Sequence, residues 1–515
     1  MKRNYLKGAR VVLAILVFLS VTLFFVDSWH VLPASFHSFL HWQFVPAVLA
    51  GMWSIVVALL LLAFIFGRVY CSVICPAGIL QDIFIRLSRR RRAKNKRKHG
   101  FRYRKAYNLF RYVLLAVVII TFLWGVNGLL VWLDPYSNYG RIASNLFRPV
   151  VIWINNGLAA ALTSVNNYTL YHITIRYITV GSFAASLAAL IVFAGMSVLR
   201  GRLFCNTLCP VGAVLSIFSR YSLFRISFDK TACNSCGNCE RTCKAECIDS
   251  REQTVDGSRC IACFDCISSC KKGGLQYRFI PTYHSTQEQK TPASPAVSET
   301  SRRTFLAAGT ALLGTVPLLP AWARSKRGAA PDEPIIPPGA VSKERFTDLC
   351  TACHLCVVKC PNQVLKPAGL EYGWEYMLKP HVVYDRAYCN YECTVCSEVC
   401  PTSAIRPLTT EEKATTQVGI AHFEKDLCVV YNAGTDCGAC SEHCPTQAVR
   451  MVPYKGTLRI PQVDPAICIG CGGCEYICPV RPDRAIHVVA NTVQQRVRKP
   501  EYEQVEEKQV DDFGF

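Results

Sequence analysis

Cys233, Cys236, Cys239 and Cys243 are spaced C-x2-C-x2-C-x3-C, and that spacing returns at Cys260, Cys263, Cys266 and Cys270, at Cys350, Cys353, Cys356 and Cys360, and at Cys468, Cys471, Cys474 and Cys478. Two variants stand between the last two: Cys389, Cys393, Cys396, Cys400 and Cys428, Cys437, Cys440, Cys444. Three thiolates on one short loop grip three irons of a cubane, and the fourth, carried off on the next turn, usually completes a neighbouring cluster. Zinc prefers two separated C-x2-C pairs around one tetrahedral ion. Disulfide frameworks are typically small. Neither suits a three-plus-one pattern met six times in 515 residues. The spacing therefore predicts six [4Fe–4S] clusters, held in α+β bacterial-ferredoxin-like domains.

Apolar runs place another part of the chain in lipid. Val45–Gly67, Tyr112–Leu133 and Tyr177–Leu199 each run 22 or 23 residues without a charge, and a bilayer core needs about 20 helical residues. Val11–Val26 has 16, but Arg10 can snorkel at one end while Asp27 closes the other. These runs predict an α-helical membrane domain of four spans. The segment VVIWINNGLAAALTSV at 150–165, with Asn155 and Asn156 inside it, reads as an outer-surface helix. A net charge of +21 raises the question of nucleic acid, but twelve Lys and Arg crowd between Arg86 and Lys105 with no acid among them. Lying between two apolar runs, that block is a cytoplasmic loop under the positive-inside rule. With Lys2, Arg3, Lys7 and Arg10 inside, spans one and three go out and two and four return.

Four more of the 29 cysteines form a repeat: GRVYCSVICPAG begins at Gly67 and GRLFCNTLCPVG at Gly201. Each follows an inward-going span, so the membrane domain is two copies of helix–helix–CxxxCP. Cys71 with Cys75, and Cys205 with Cys209, would share a face if helical. The four could converge at the inner membrane surface as metal ligands or redox dithiols; the bland reading is that they only shape helix ends. The remaining cysteine, Cys247, sits where Ala404 and Ala448 sit in sister motifs and reads as a small buried residue.

No histidine lies inside the spans, so no bis-histidine haem is expected there. CTACH at 350–354 fits a c-type haem motif, but Cys356, Cys360 and Pro361 continue it as a ferredoxin motif, leaving His354 an incidental neighbour. His37 and His41 read as an interfacial pair. There is no Rossmann fingerprint and no P-loop, and no catalytic residue can be assigned. Flavin, nicotinamide and haem are not expected.

In the middle of the chain, ETSRRTFLAAGTALLGTVPLLPAWARSKR (299–327) has the form of an export signal: Arg302 and Arg303, an uncharged run from Thr304 to Ala323, and Ala-Trp-Ala at its end. That is a twin-arginine signal or anchor helix, and an outward crossing there would set two iron–sulfur halves on opposite faces of one membrane. The domain reading is then 1–225 membrane domain, 226–280 cytoplasmic two-cluster ferredoxin, 281–300 linker, 301–323 signal or anchor, 324–340 Pro-rich linker, 341–490 periplasmic four-cluster module and 491–515 tail.

The first 280 residues, with four spans, paired CxxxCP motifs and a two-cluster domain, resemble NapH-type membrane ferredoxins of periplasmic nitrate reductase systems. Residues 299–490 resemble their NapG-type partners, exported by the twin-arginine route with four [4Fe–4S] motifs. The resemblance implies a natural fusion in the bacterial inner membrane, relaying electrons from the quinol pool or a cytoplasmic donor to a periplasmic reductase. Such a chain is an electron carrier or quinol dehydrogenase component rather than a stand-alone catalyst. The alternative is a maturation or redox-control factor for an exported respiratory metalloenzyme. Proteins of this kind nest their four motifs, first with fourth and second with third; sequential pairing stays open. One departure from the pattern is Lys244 and Lys271, where proline is expected after the fourth cysteine.

Overall fold

A computed structural model describes residues 5–29, 31–32, 40–94, 100–280 and 333–499. The mid-chain signal, the 281–300 linker and His37 lie outside the described residues. From the N-terminus the helices are α1 (Tyr5–Val26), α2 (Phe44–Leu49), α3 (Trp53–Phe66), α4 (Tyr70–Val73), α5 (Pro76–Lys94), α6 (Asn108–Leu123), α7 (Gly128–Leu133), α8 (Pro135–Ile142), α9 (Arg148–Thr163), α10 (Val180–Arg200), α11 (Leu203–Thr207) and α12 (Pro210–Ser219). A π-helical turn, Ala143–Phe147, joins α8 to α9.

Three helical stretches are long and apolar enough to cross a membrane: Tyr5–Val26, Pro135–Thr163 and Val180–Arg200. The first and last match the expected first and fourth spans. The second and third do not run unbroken. Gly51, at φ +70°, separates α2 from α3, and Gly125, at φ +78°, follows the end of α6; without a Cβ, glycine enters this left-handed region freely. The segment read as an outer-surface helix forms the end of the long Pro135–Thr163 stretch, whose first turns are buried from Pro135 to Ile142.

The helices expose many large apolar groups while burying several small and polar ones. In α10, Ser182, Ser186 and Ser197 are buried while Phe183, Leu187, Ile191 and Val192 are exposed. Val12, Leu13, Leu16 and Leu19 are likewise exposed on α1. Small residues at the contact let helix backbones approach closely.

Sheets occur only as two-stranded antiparallel pairs among the described residues. β1 (Phe224–Phe228) pairs with β4 (Leu275–Phe279), enclosing the hairpin of β2 (Ile248–Asp249) and β3 (Thr254–Val255). β5 (Leu365–Pro367) pairs with β6 (Pro380–Val382). β7 (Thr416–Phe423) pairs with β10 (Ile486–Arg496), enclosing β8 (Val449–Pro453) and β9 (Arg459–Val463). Each hairpin falls between two cysteine motifs. The stretch Pro334–Ala340, expected as linker, is buried: Ile335 accepts from Val382 N and Gly339 from Arg406 N. β10 carries the last module beyond residue 490 to Arg496, where it pairs with Thr416.

Candidate functional site

All 29 cysteines are free thiols, and their backbones follow one recipe. In every C-x2-C-x2-C loop the second residue after the first cysteine is left-handed, and so is the fourth: Ser235 and Gly237, Ala262 and Phe264, Ala352 and His354, Gly470 and Gly472. Successive left-handed turns aim peptide N–H groups into a concavity suited to anionic sulfur. After the fourth cysteine a further left-handed residue recurs three positions on, at Glu246, Gly273, Gln363, Ser403 and Gln447.

The thiols gather in sequential pairs of motifs, not nested ones. Cys360 lines one cavity with Cys389, Cys393 and Cys396, and Cys400 lies within electrostatic reach of Cys350, Cys353 and Cys356. Cys478 lines a second cavity with Cys428, Cys437 and Cys440, while Cys444 stands by Cys468, Cys471 and Cys474. In the first ferredoxin, Cys243 joins Cys260, Cys263 and Cys266. Cys233, Cys236 and Cys239 lie together. Cys243 and Cys270 occupy equivalent positions, closing the short helices Asn238–Thr242 and Asp265–Ser269. A hairpin between two motifs brings them face to face; nested pairing would need that hairpin opened.

These groups fit iron–sulfur clusters. The two cavities are walled by four cysteines each. Burial pushes the Cys350 and Cys471 thiols up to about 12 and Cys360 to about 11, so metal loading must release protons.

Cys247 has a more specific place than small filler. Its sulfur lies 3.5 Å from Cys243 Sγ; hydrogen bonding from Cys247 holds Cys243 down to about 7 and also lowers Cys260. Lys244, in the place of the expected proline, reaches Asp82 Oδ2 at 2.7 Å and Asp265 at 3.3 Å. Asp82 also meets Arg202 at 2.8 Å and Arg10 at 3.3 Å, so the departure from the motif ties the ferredoxin to the helices. His354 is 1 % exposed, with Nε2 2.9 Å from Leu378 O and Nδ1 3.3 Å from Asn145 Nδ2. Both ring nitrogens are engaged, which leaves none for a haem iron. His41 Nδ1 contacts Pro401 O at 3.0 Å.

The two CxxxCP motifs come together. Cys71, Cys75, Cys205 and Cys209 are all buried in one core, joined by reciprocal arginines that sequence alone left unexplained. Arg68 donates to Cys205 O at 2.9 Å, and Arg202 donates to Cys71 O at 2.9 Å. Each guanidinium also faces the thiol in its own repeat, Arg68 at 3.8 Å from Cys71 Sγ and Arg202 at 3.9 Å from Cys205 Sγ. A Cβ at Gly78 would overlap the Cys71 carbonyl, and one at Gly212 that of Cys205, so the glycine after each CP is dictated by the same crossing. Gln81, whose Oε1 lies 3.6 Å from Cys205 Sγ, carries no motif that would have revealed it.

Comparison with known proteins agrees with this geometry. A family described as a 4Fe-4S binding domain matches twice, at residues 48–95 and 183–230, one match on each CxxxCP repeat. Families described as 4Fe-4S dicluster domains match residues 256–364 and 435–481. An uncharacterized protein of Methanocaldococcus jannaschii is 29% identical over 42% of this chain and 67% of its own length. Ferredoxin-type protein NapF of Escherichia coli is 26% identical over 31% of this chain and 85% of its own. The methylamine utilization ferredoxin-type protein MauM of Methylobacillus flagellatus is 33% identical over 30% of this chain and 67% of its own. No solved structure matches significantly. With its cysteine groups in place, the chain belongs to the ferredoxin-type iron–sulfur electron-transfer proteins, the family of MauM.

Proposed function

We propose that this protein is a membrane-bound relay carrying electrons from one face of the bacterial inner membrane to the other through six [4Fe–4S] clusters. The observation that carries the reading is helix α1. Near its start, Lys7 pairs with Asp265 of the first ferredoxin at 2.9 Å; just past its end, Asp27 pairs with Lys359 of the four-cluster module at 2.6 Å. Its 22 residues span about 33 Å at 1.5 Å per residue, comparable to a bilayer core of about 30 Å. The two iron–sulfur modules therefore grip opposite ends of one membrane-length helix. α10 repeats the arrangement: Thr179 Oγ1 donates to Pro367 O at one end and Arg200 meets Glu246 at the other.

The broken helices still suit four passes. Asn127 and Asn145 both bond the four-cluster module, to Asp348 O and His354 respectively, so the intervening segment leaves and returns on one face. The exposed apolar side chains of α1, α3, α6 and α10 then meet lipid, and a twin-arginine segment at 301–323 carries the chain across to the periplasmic module. This is the organisation of a NapH–NapG fusion.

A bound [4Fe–4S] cluster supplies one-electron chemistry; the chain's part is to order the centres. Cys236 is exposed, while the Ser258–Cys260 loop meets Arg68. In the second module the group at Cys353 lies against Gly140. Cys389 N bonds Cys471 O at 2.9 Å, joining the two halves, and the group at Cys428, Cys437, Cys440 and Cys478 belongs to the second of them. Electrons enter from a cytoplasmic donor or quinol and leave at that last group to a periplasmic reductase of the nitrate reductase kind.

Paired reporters test the reading. Green fluorescent protein fused after Lys290 should fluoresce, and alkaline phosphatase fused after Phe515 should be active, with activity lost when Arg302 and Arg303 are both changed to Lys. Cytoplasmic reports at both positions would refute it.

A further inference from the structure

We infer that His422, Glu424 and His487 form a binding site for a divalent transition-metal ion of the zinc class, on the outer face of the β7–β10 ladder. The inference stands on strand register and side-chain chemistry and is independent of the proposed relay.

The register brings the three side chains together. His422 stands directly opposite His487, and Phe423 opposite Ile486. Glu424 N donates to Ala485 O at 2.7 Å, so the same register continues through the acid. Side chains alternate between the two faces of a strand. Phe423 and Ile486 line the cavity that holds Cys428, Cys437, Cys440 and Cys478. His422, Glu424 and His487 therefore share the other face, where the first two are exposed and the third is half-buried.

The geometry fits one ion. A ligand atom from each residue lies within 4.8 Å of the other two. The imidazole rings have centroids 5.5 Å apart and are tilted by 48°, and His487 Nδ1 is 3.8 Å from Glu424 Oε1. That last separation is too long for a direct hydrogen bond. Metal–nitrogen and metal–oxygen bonds of about 2.0–2.2 Å set tetrahedral ligand separations of about 3.4 Å, a closure that small side-chain rotations supply.

The donor set selects the cation. Imidazole suits zinc, copper and nickel, whereas magnesium and calcium take oxygen ligands. Two histidines facing each other across a ladder repel when both are charged; as neutral ligands of one cation they do not. Three protein ligands leave the fourth position of a tetrahedral shell to water. With nitrogen and oxygen donors only, this ion is distinct from the sulfur-bound irons. It clamps β7 to β10 where the inner face of the ladder lines the cysteine cavity.

The test uses the full chain, purified anaerobically in detergent with its clusters loaded, equilibrated with equimolar zinc chloride and then desalted. The wild type should retain about one zinc ion per chain, with an X-ray absorption shell of nitrogen and oxygen at about 2.0–2.1 Å and no sulfur at about 2.3 Å. His422→Ala/His487→Ala should retain none while its iron content stays unchanged. Zinc held equally by both proteins, a sulfur shell, or no zinc on the wild type would each overturn the site. If the double variant loses iron, Glu424→Gln decides, because that change is isosteric and exposed. It should weaken zinc by about tenfold or more, the least that loss of even a supporting partner costs a metal site; unchanged affinity would overturn the proposal. Zinc should also slow hydrogen exchange over β7 and β10 in the wild type, and equal slowing by magnesium would overturn the assignment to a zinc-class ion.

Discussion

Lys359 Nζ lies 2.6 Å from Asp27 Oδ2, across 332 positions of sequence, and both side chains are buried. The lysine sits just before Cys360, and the aspartate just past α1, so the pair ties a cluster-binding loop to the end of a membrane-length helix. Removing one member of a buried pair leaves an uncompensated charge, at a cost of about 3–5 kcal/mol. Asp27→Asn should therefore weaken the hold on the module by roughly this amount, read as increased hydrogen exchange over Leu355–Lys359. An Asp27→Leu/Lys359→Met double variant should lose much less.

The same pair sets a pH dependence. Burial alone would raise the Asp27 carboxyl, but the Lys359 hydrogen bond and charge hold it below its ordinary 3.8. A carboxyl depressed in the folded state contributes fully above its ordinary value, and the contribution is lost as pH falls through the folded value. Protection of Leu355–Lys359 should be level from neutral pH down to about 5 and fall only below 3.8. The Asp27→Asn variant should lack this component.

Sequential pairing makes a prediction that nesting does not. Cys400→Ser should perturb the centre at Cys350, Cys353 and Cys356 and spare that at Cys389, Cys393 and Cys396, with Cys360→Ser doing the reverse. Under nesting, Cys400 would instead serve the Cys428, Cys437 and Cys440 group. Mössbauer or paramagnetic resonance spectra of the two variants separate the cases.

Cys247 Sγ lies 3.5 Å from Cys243 Sγ, within hydrogen-bonding distance, and with Cys243 bound to a cluster its S–H is the proton available for that bond. Hydrogen bonds to cluster sulfur raise the reduction potential, and one such bond is worth about 1 kcal/mol, or about 40 mV for one electron. Cys247→Ala should keep the cluster and lower its potential by about this amount, with Cys247→Ser restoring most of it. Loss of the cluster in Cys247→Ala would instead make Cys247 a ligand.

Much of the candidate site was legible along the chain, because a cluster-binding loop is local: three cysteines within seven residues can be read without knowing what folds against them. The CxxxCP repeat was equally plain, and so was its arginine. Its reason was not, since Arg68 serves Cys205 and Arg202 serves Cys71 across more than a hundred residues. Lys244 looked like a defect beside its sister motifs because Asp82, its partner, lies 162 positions away. Two apolar runs long enough to span came out interrupted because hydropathy sums over a window, whereas one left-handed glycine can interrupt a helix.

Sequence alone thus determined that the chain carries ferredoxin-type iron–sulfur motifs and that part of it is apolar enough for lipid, both properties of short windows. The tertiary structure decided which loops complete one another, that four thiols from two repeats share one core, and that the two iron–sulfur modules hold opposite ends of α1. Those are relations between distant segments, settled by hairpins, buried ion pairs and side-chain packing that no local spacing encodes.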